Sequence, residues 1–205
     1  MNSQKITAIA LFAALTIALS LWSPIKIPAP YAPFLIYQIW EIPIVAALLL
    51  YGIFVALAIS VLNTLLLLAI YPGALPTGPL YNFVAVLSML LGIYLVQKLL
   101  ANRFSTQNST LVIASSTSLG ILLRVGVMTI MNWTFLRYPP PVGYAMPEGA
   151  IIVMLPLIAF FNATLALYTI PVGHFLAMSV KSIMKTMGTE PKKSKGLKNS
   201  VSKGL

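Results

Sequence analysis

The sequence predicts an all-α membrane protein of six transmembrane helices, with both termini cytoplasmic, a short helix 2 and a kinked helix 6. Three observations predict it: the scarcity of charge, the spacing of the breaks between apolar runs, and the lopsided placement of the basic residues. Of 205 residues, 59% are hydrophobic and only 8% charged, too little polar material to coat a surface that faces water. Apolar runs occupy residues 6–22, 42–71, 79–97, 111–136 and 150–180, separated by "SPIKIPAPYAP", "YPGALPTGP", "QKLLANRFSTQNS" and "RYPPPVGYAMPEG". Such clusters of proline, glycine and polar residues are loop signals. A helix needs about 20 residues to cross the ~30 Å hydrocarbon core, and the chain has room for about six.

Helix 1 begins after Lys5 and resembles the start of a signal peptide, but it shows no evident cleavage site and continues as a span, so it is read as retained. The run 42–71 would measure about 45 Å as one straight helix, longer than the core it crosses, and Tyr51-Gly52 near its middle is placed to close a tight hairpin. Charge decides the count. With a hairpin there, one side of the membrane collects Lys5, Lys98, Arg103, Lys181, Lys185, Lys192, Lys193, Lys195, Lys198 and Lys203, while the other holds Lys26 and Arg137. Basic loops stay cytoplasmic, and five spans would destroy this asymmetry. Helix 2 is then only about 13 residues long and leans on its neighbours to reach across. Pro156 and Pro171 are expected to kink helix 6. Residues 1–183 form one transmembrane domain, and the lysine-rich segment 184–205 is expected to be a disordered cytoplasmic tail.

Several functions are disfavoured by what the chain lacks. It has no cysteine and a single histidine, His174, so no disulfide framework, thiolate site or histidine cluster is available. No GxxxxGK[ST], HExxH or GxSxG pattern occurs, and neither an enzymatic role nor a bound cofactor or metal is expected. Three acidic residues, none deep in a span, argue against a self-sufficient proton-coupled carrier. The positive residues behind the net charge of +10 lie mainly in loops and tail, where they set topology, and nucleic acid is not an expected partner.

Polar residues inside the spans are the functional candidates. Asn82 opens helix 4, Asn132 closes helix 5, and Asn162 interrupts the apolar run "MLPLIAFFNATLALYTI" of helix 6. An up-and-down order brings all three toward the outer face, with Glu41, Trp40, Tyr81 and Trp133 around them. Amides and aromatics in that combination suit a flat heteroaromatic ligand that stacks and hydrogen-bonds along its edge. Interhelical hydrogen bonds and an interfacial aromatic belt are the plainer alternatives. Arg124, in mid-helix 5, is expected to face the bundle or backbone carbonyls in a structural role, as is His174. On helix 1, Ala10, Ala14 and Ala18 recur every four residues beside Ala13 and would let another helix backbone approach closely, inside this bundle or from outside.

The order of these features resembles a known family. The helix 1 stretch "ALFAALTIALS", the proline-rich loop leading into "EIPIVAALLLYG", "PTGPLYNFVAVLSMLLG", "RVGVMTIMNWTFLRYP" and "LPLIAFFNATLAL" together resemble the S-components of energy-coupling factor (ECF) vitamin transporters, closest to the riboflavin-specific branch, over residues 5–182. The resemblance implies a substrate-binding subunit of a prokaryotic cell membrane that captures riboflavin at the outer face. It also implies a transmembrane coupling protein and two ATPase subunits as partners, with Ala10, Ala14 and Ala18 as the docking face, and Asn132 and Asn162 as flavin contacts. Riboflavin binders read "FNxxK" in helix 6, whereas this chain reads "FNATL" with Leu165 at the lysine position. Another flat vitamin or a nucleobase-like compound is therefore the alternative ligand.

Overall fold

The computed structural model describes residues 3–22, 26–70, 75–100 and 110–186. Six helices follow the apolar runs: α1 (Ser3–Leu21), α2 (Ile42–Tyr51), α3 (Ile53–Ile70), α4 (Gly78–Leu100), α5 (Thr110–Phe135) and α6 (Glu148–Thr186). All but α2 are long and apolar enough to cross a membrane, the framework of a multi-pass membrane protein. The long 42–71 run divides at Gly52, whose φ of 93° belongs to the left-handed region that glycine enters without strain, and whose N–H caps α2 by donating to the Leu48 carbonyl at 2.9 Å. α2 has ten residues, about 15 Å at 1.5 Å per residue and so half of a ~30 Å core.

The architecture is not purely helical. Between α1 and α2 the chain forms an antiparallel hairpin, β1 (Ile27–Ala29) with β2 (Ala32–Tyr37). The prolines that stop a helix here are tolerated in a two-stranded ribbon, where a missing N–H falls on an edge. Leu35 and Tyr37 of β2 pack on Phe161 and Leu165 of α6. Hydroxyls add to that seam: Tyr37 shares hydrogen bonds of 2.7 Å with Thr164 and with Tyr31, and the Tyr168 hydroxyl donates to the Gln38 carbonyl at 2.7 Å.

α6 is one helix of 39 residues that runs uninterrupted through Pro156 and Pro171. It continues to Thr186, three residues beyond the expected domain boundary at 183; the rest of the expected tail lies outside the described residues. The core is built from α1, α2, α3, α4 and α6 around Phe12, Ile44, Ile59, Met89 and Ile170. Small residues set the closest approaches. A Cβ on Gly173 would lie 2.5 Å from Val45 Cγ1, so α6 and α2 touch there, and one on Gly92 would lie 2.8 Å from the Gly120 backbone, so α4 and α5 cross with main chains in contact.

The Gly92 contact sets a testable expectation. Backbone cannot retract as a flexible side chain can, so Gly92→Ala should destabilise the solubilised protein by about 1–3 kcal/mol, the cost typical of overpacking. Gly126→Ala, where an added Cβ meets nothing within 4 Å, should leave the thermal melt nearly unchanged. Equal melts for the two variants would contradict the close crossing.

Candidate ligand cavity

A cavity of about 470 Å³ opens between the hairpin and the ends of α3, α4, α5 and α6, within the ~300–1,000 Å³ range of small-molecule sites. Its walls are mostly apolar, including Phe34, Ile36, Leu136, Ile158, Phe161 and Leu165. Asn82, Arg124, Asn132 and Asn162 supply the polar groups from the helices, Ser20 from α1, and Gln38 and Lys26 from the flanks of the hairpin. The alternation of β2 explains part of the lining. Phe34, Ile36 and Gln38 lie on one face and line the cavity; of the alternate residues Tyr37 turns to α6, while Leu35 packs on Phe161 and Leu165 and lines the cavity as well.

The two buried asparagines hold their own helices first. Asn132 Nδ2 donates to the Met128 carbonyl at 2.7 Å and Asn162 Nδ2 to the Ile158 carbonyl at 2.9 Å, each four residues back. Asn162 Oδ1 also accepts from Arg124 Nε at 3.1 Å. A primary amide has two N–H donors and an oxygen with two lone pairs. Asn132 therefore retains one proton and its Oδ1, and Asn162 retains one proton and one lone pair. Both residues line the cavity.

Below them lies an ion pair that the sequence reading did not identify. Arg124 Nη1 and Nη2 grip both oxygens of Glu41, with the Nη2 to Oε1 contact at 2.9 Å, and Nη1 also meets Met89 Sδ at 3.6 Å. The two side chains are 2% and 1% exposed, so each charge depends on the other. The expected structural Arg124 is thus a cavity-lining residue, and it turns to a carboxylate and an amide rather than to backbone carbonyls. Glu41 reaches the site through Arg124 and does not itself line the cavity.

The remaining expected site residues divide. Tyr81 lines the cavity, and its hydroxyl donates to the Val142 carbonyl at 2.8 Å, tying α4 to the loop after α5. Trp40 is buried in the helix core, away from the cavity lining. Trp133 is 45% exposed, with the Arg137 guanidinium 5.0 Å over its ring, and does not line the cavity either. Tyr144, in the loop before α6, lines the cavity, and burial raises its phenol above the ordinary value, which keeps it protonated and able to donate. Ala10, Ala14 and Ala18 are all exposed, whereas Ala13 turns inward with Phe12, Thr16 and Ser20. His174 Nδ1 lies 3.0 Å from the Ile170 carbonyl, remote from the cavity lining. Among the described residues no group of three His, Asp or Glu side chains gathers to hold a metal.

No family model matches the sequence, and no curated protein is similar to it by sequence. Structure gives a different result. The solved S component of a bacterial ECF transporter superposes with a TM-score of 0.71 over 90% of this chain and 99% of its own, at 20% sequence identity. The fold is that of an ECF S component. Within that fold the cavity described above is walled by α3, α4, α5, α6 and the α1–α2 hairpin.

Proposed function

We propose that this chain is the substrate-binding S component of an ECF-type transporter in a prokaryotic cell membrane, capturing riboflavin at the outer face. A transmembrane coupling protein and two ATPase subunits would then drive uptake. The observation that carries the reading is the residual hydrogen-bonding capacity of Asn132 and Asn162. Between them they offer two protons and acceptor oxygen to the same cavity, which suits the carbonyl, N–H, carbonyl sequence of an imide edge such as that of flavin. Phe34, Phe161 and Tyr144 give aromatic surface beside it. The exposed row of Ala10, Ala14 and Ala18 supports the partner half of the reading, since small side chains let a second helix come close.

Removing either amide leaves a buried ligand group unpaired, at about 1–3 kcal/mol, which is about 5- to 150-fold in dissociation constant. Flavin fluorescence quenching on the purified parent, Asn132→Leu and Asn162→Leu should show that loss in both variants; Asn162→Leu should also melt lower, because it strands the buried Arg124 Nε, whereas the Asn132 side chain bonds only its own helix and its variant should melt close to the parent. Parent-like riboflavin affinity in both folded variants would place the site elsewhere. A parent that binds uracil but no flavin would point to a nucleobase-like ligand with the same imide edge, consistent with Leu165 in place of a lysine.

A further inference from the structure

We infer that Glu41 is a built-in counter-anion for the cavity floor, so that the end of the ligand reaching Arg124 is an uncharged acceptor, a carbonyl or hydroxyl oxygen, and a carboxylate or phosphate end is turned away there. The inference rests on reading the cavity as the capture site, but not on riboflavin as its occupant.

Arginine stays protonated in proteins, and a guanidinium facing a cavity is ordinarily an invitation to an anion. Here the bidentate position is already filled: both oxygens of Glu41 lie on Nη1 and Nη2. Of the five N–H groups of the guanidinium, Nε serves Asn162, Nη1 serves Glu41 and Met89, and Nη2 serves Glu41. One Nη2 proton remains, on a side chain that lines the cavity. That is enough for a neutral acceptor. A second anion would meet the same guanidinium with the Glu41 carboxylate a few ångströms away, where low dielectric magnifies repulsion.

The start of α2, next to Glu41, does not supply the missing attraction. Helix N-termini bind anions through several free N–H groups together, but here the Ile42 N–H donates to the Ile39 carbonyl, Pro43 has none, and the Val45 N–H donates to the Glu41 carbonyl, which leaves at most the Ile44 N–H in that turn. The other charged group on the cavity is Lys26, in the segment before β1. It lies on the hairpin wall, not beside Glu41.

The test needs no knowledge of the natural ligand. The full chain in nanodiscs is melted while titrated with formate, a minimal carboxylate, and with formamide, its uncharged counterpart. Three proteins are compared: the parent, Glu41→Gln, and Glu41→Gln/Arg124→Gln. The parent and the double variant should respond alike and weakly to formate, while formamide, which can accept the remaining Nη2 proton, should bind the parent at least as well as formate does. Glu41→Gln alone should be stabilised by formate in a saturable manner, with an apparent affinity about tenfold or more above the parent's, and should prefer formate to formamide. Saturable stabilisation of the parent by formate beyond that of the double variant would overturn the inference, as would a Glu41→Gln protein indifferent to formate. Should Glu41→Gln fail to fold, the parent and double variant still decide: equal formate responses support the counter-anion, and a saturable response confined to the parent refutes it. A failed riboflavin titration would remove flavin as the ligand and leave this result standing.

Discussion

Arg124→Met should lower the stability of the solubilised protein by about 3–5 kcal/mol, the cost of stranding one partner of a buried ion pair. Methionine matches much of the arginine stem, so little of the loss comes from packing. It comes from Glu41, which is left 1% exposed with no cation to face. The double replacement Glu41→Gln/Arg124→Met should recover most of the stability, because a buried pair exchanged for uncharged groups of similar volume is often neutral or better. Thermal melts of the two single variants and the double variant form the cycle. Additive losses would show that the two side chains do not depend on each other. A pair that can be removed together at small cost is not kept for stability, which agrees with a role in choosing the ligand.

Ala14→Trp has the second large effect expected, and it falls on transport rather than binding. Ala14 is exposed on α1 between Ala10 and Ala18, so a tryptophan there meets no part of this chain's core and should leave the riboflavin affinity of the solitary subunit within about twofold. Uptake by the full complex should be abolished, because an indole in a row of small side chains holds an approaching helix away. Measuring affinity on the purified subunit and uptake in proteoliposomes separates the two. Normal uptake by the variant would mean that the alanine row is not the docking face.

Hydropathy made the helices legible because each long run had to satisfy its backbone internally within an apolar medium. The break at Gly52 was legible from the excess length of the run, the Tyr51-Gly52 pair near its middle and the charge asymmetry that a hairpin there produces. The hairpin was not: "IPAPYAPFLIYQ" shows prolines first, and its extended form depends on a partner surface, Phe161 and Leu165, more than a hundred residues away. The same distance hid the Glu41–Arg124 pair, 83 positions apart. An unpartnered arginine in a span announces a need without naming who meets it. Asn132 and Asn162 were legible because an amide in an apolar run has to hold something. Trp133 was open to a better reading. Successive residues on a helix point about 100° apart, so with Asn132 facing the cavity its neighbour Trp133 had to point elsewhere, and it faces outward under Arg137.

The brevity of α2 bears on what closes the membrane beneath a captured molecule. Its ten residues cover about 15 Å, contribute none of the cavity lining, and start just after Glu41, whose carboxylate holds Arg124. A helix of that length covers about half of the ~30 Å that a full span must cross. A solute resting against Arg124 would lie over the start of a helix too short to close that depth alone, and α1, α3 and α6, which pack on α2, complete the seal.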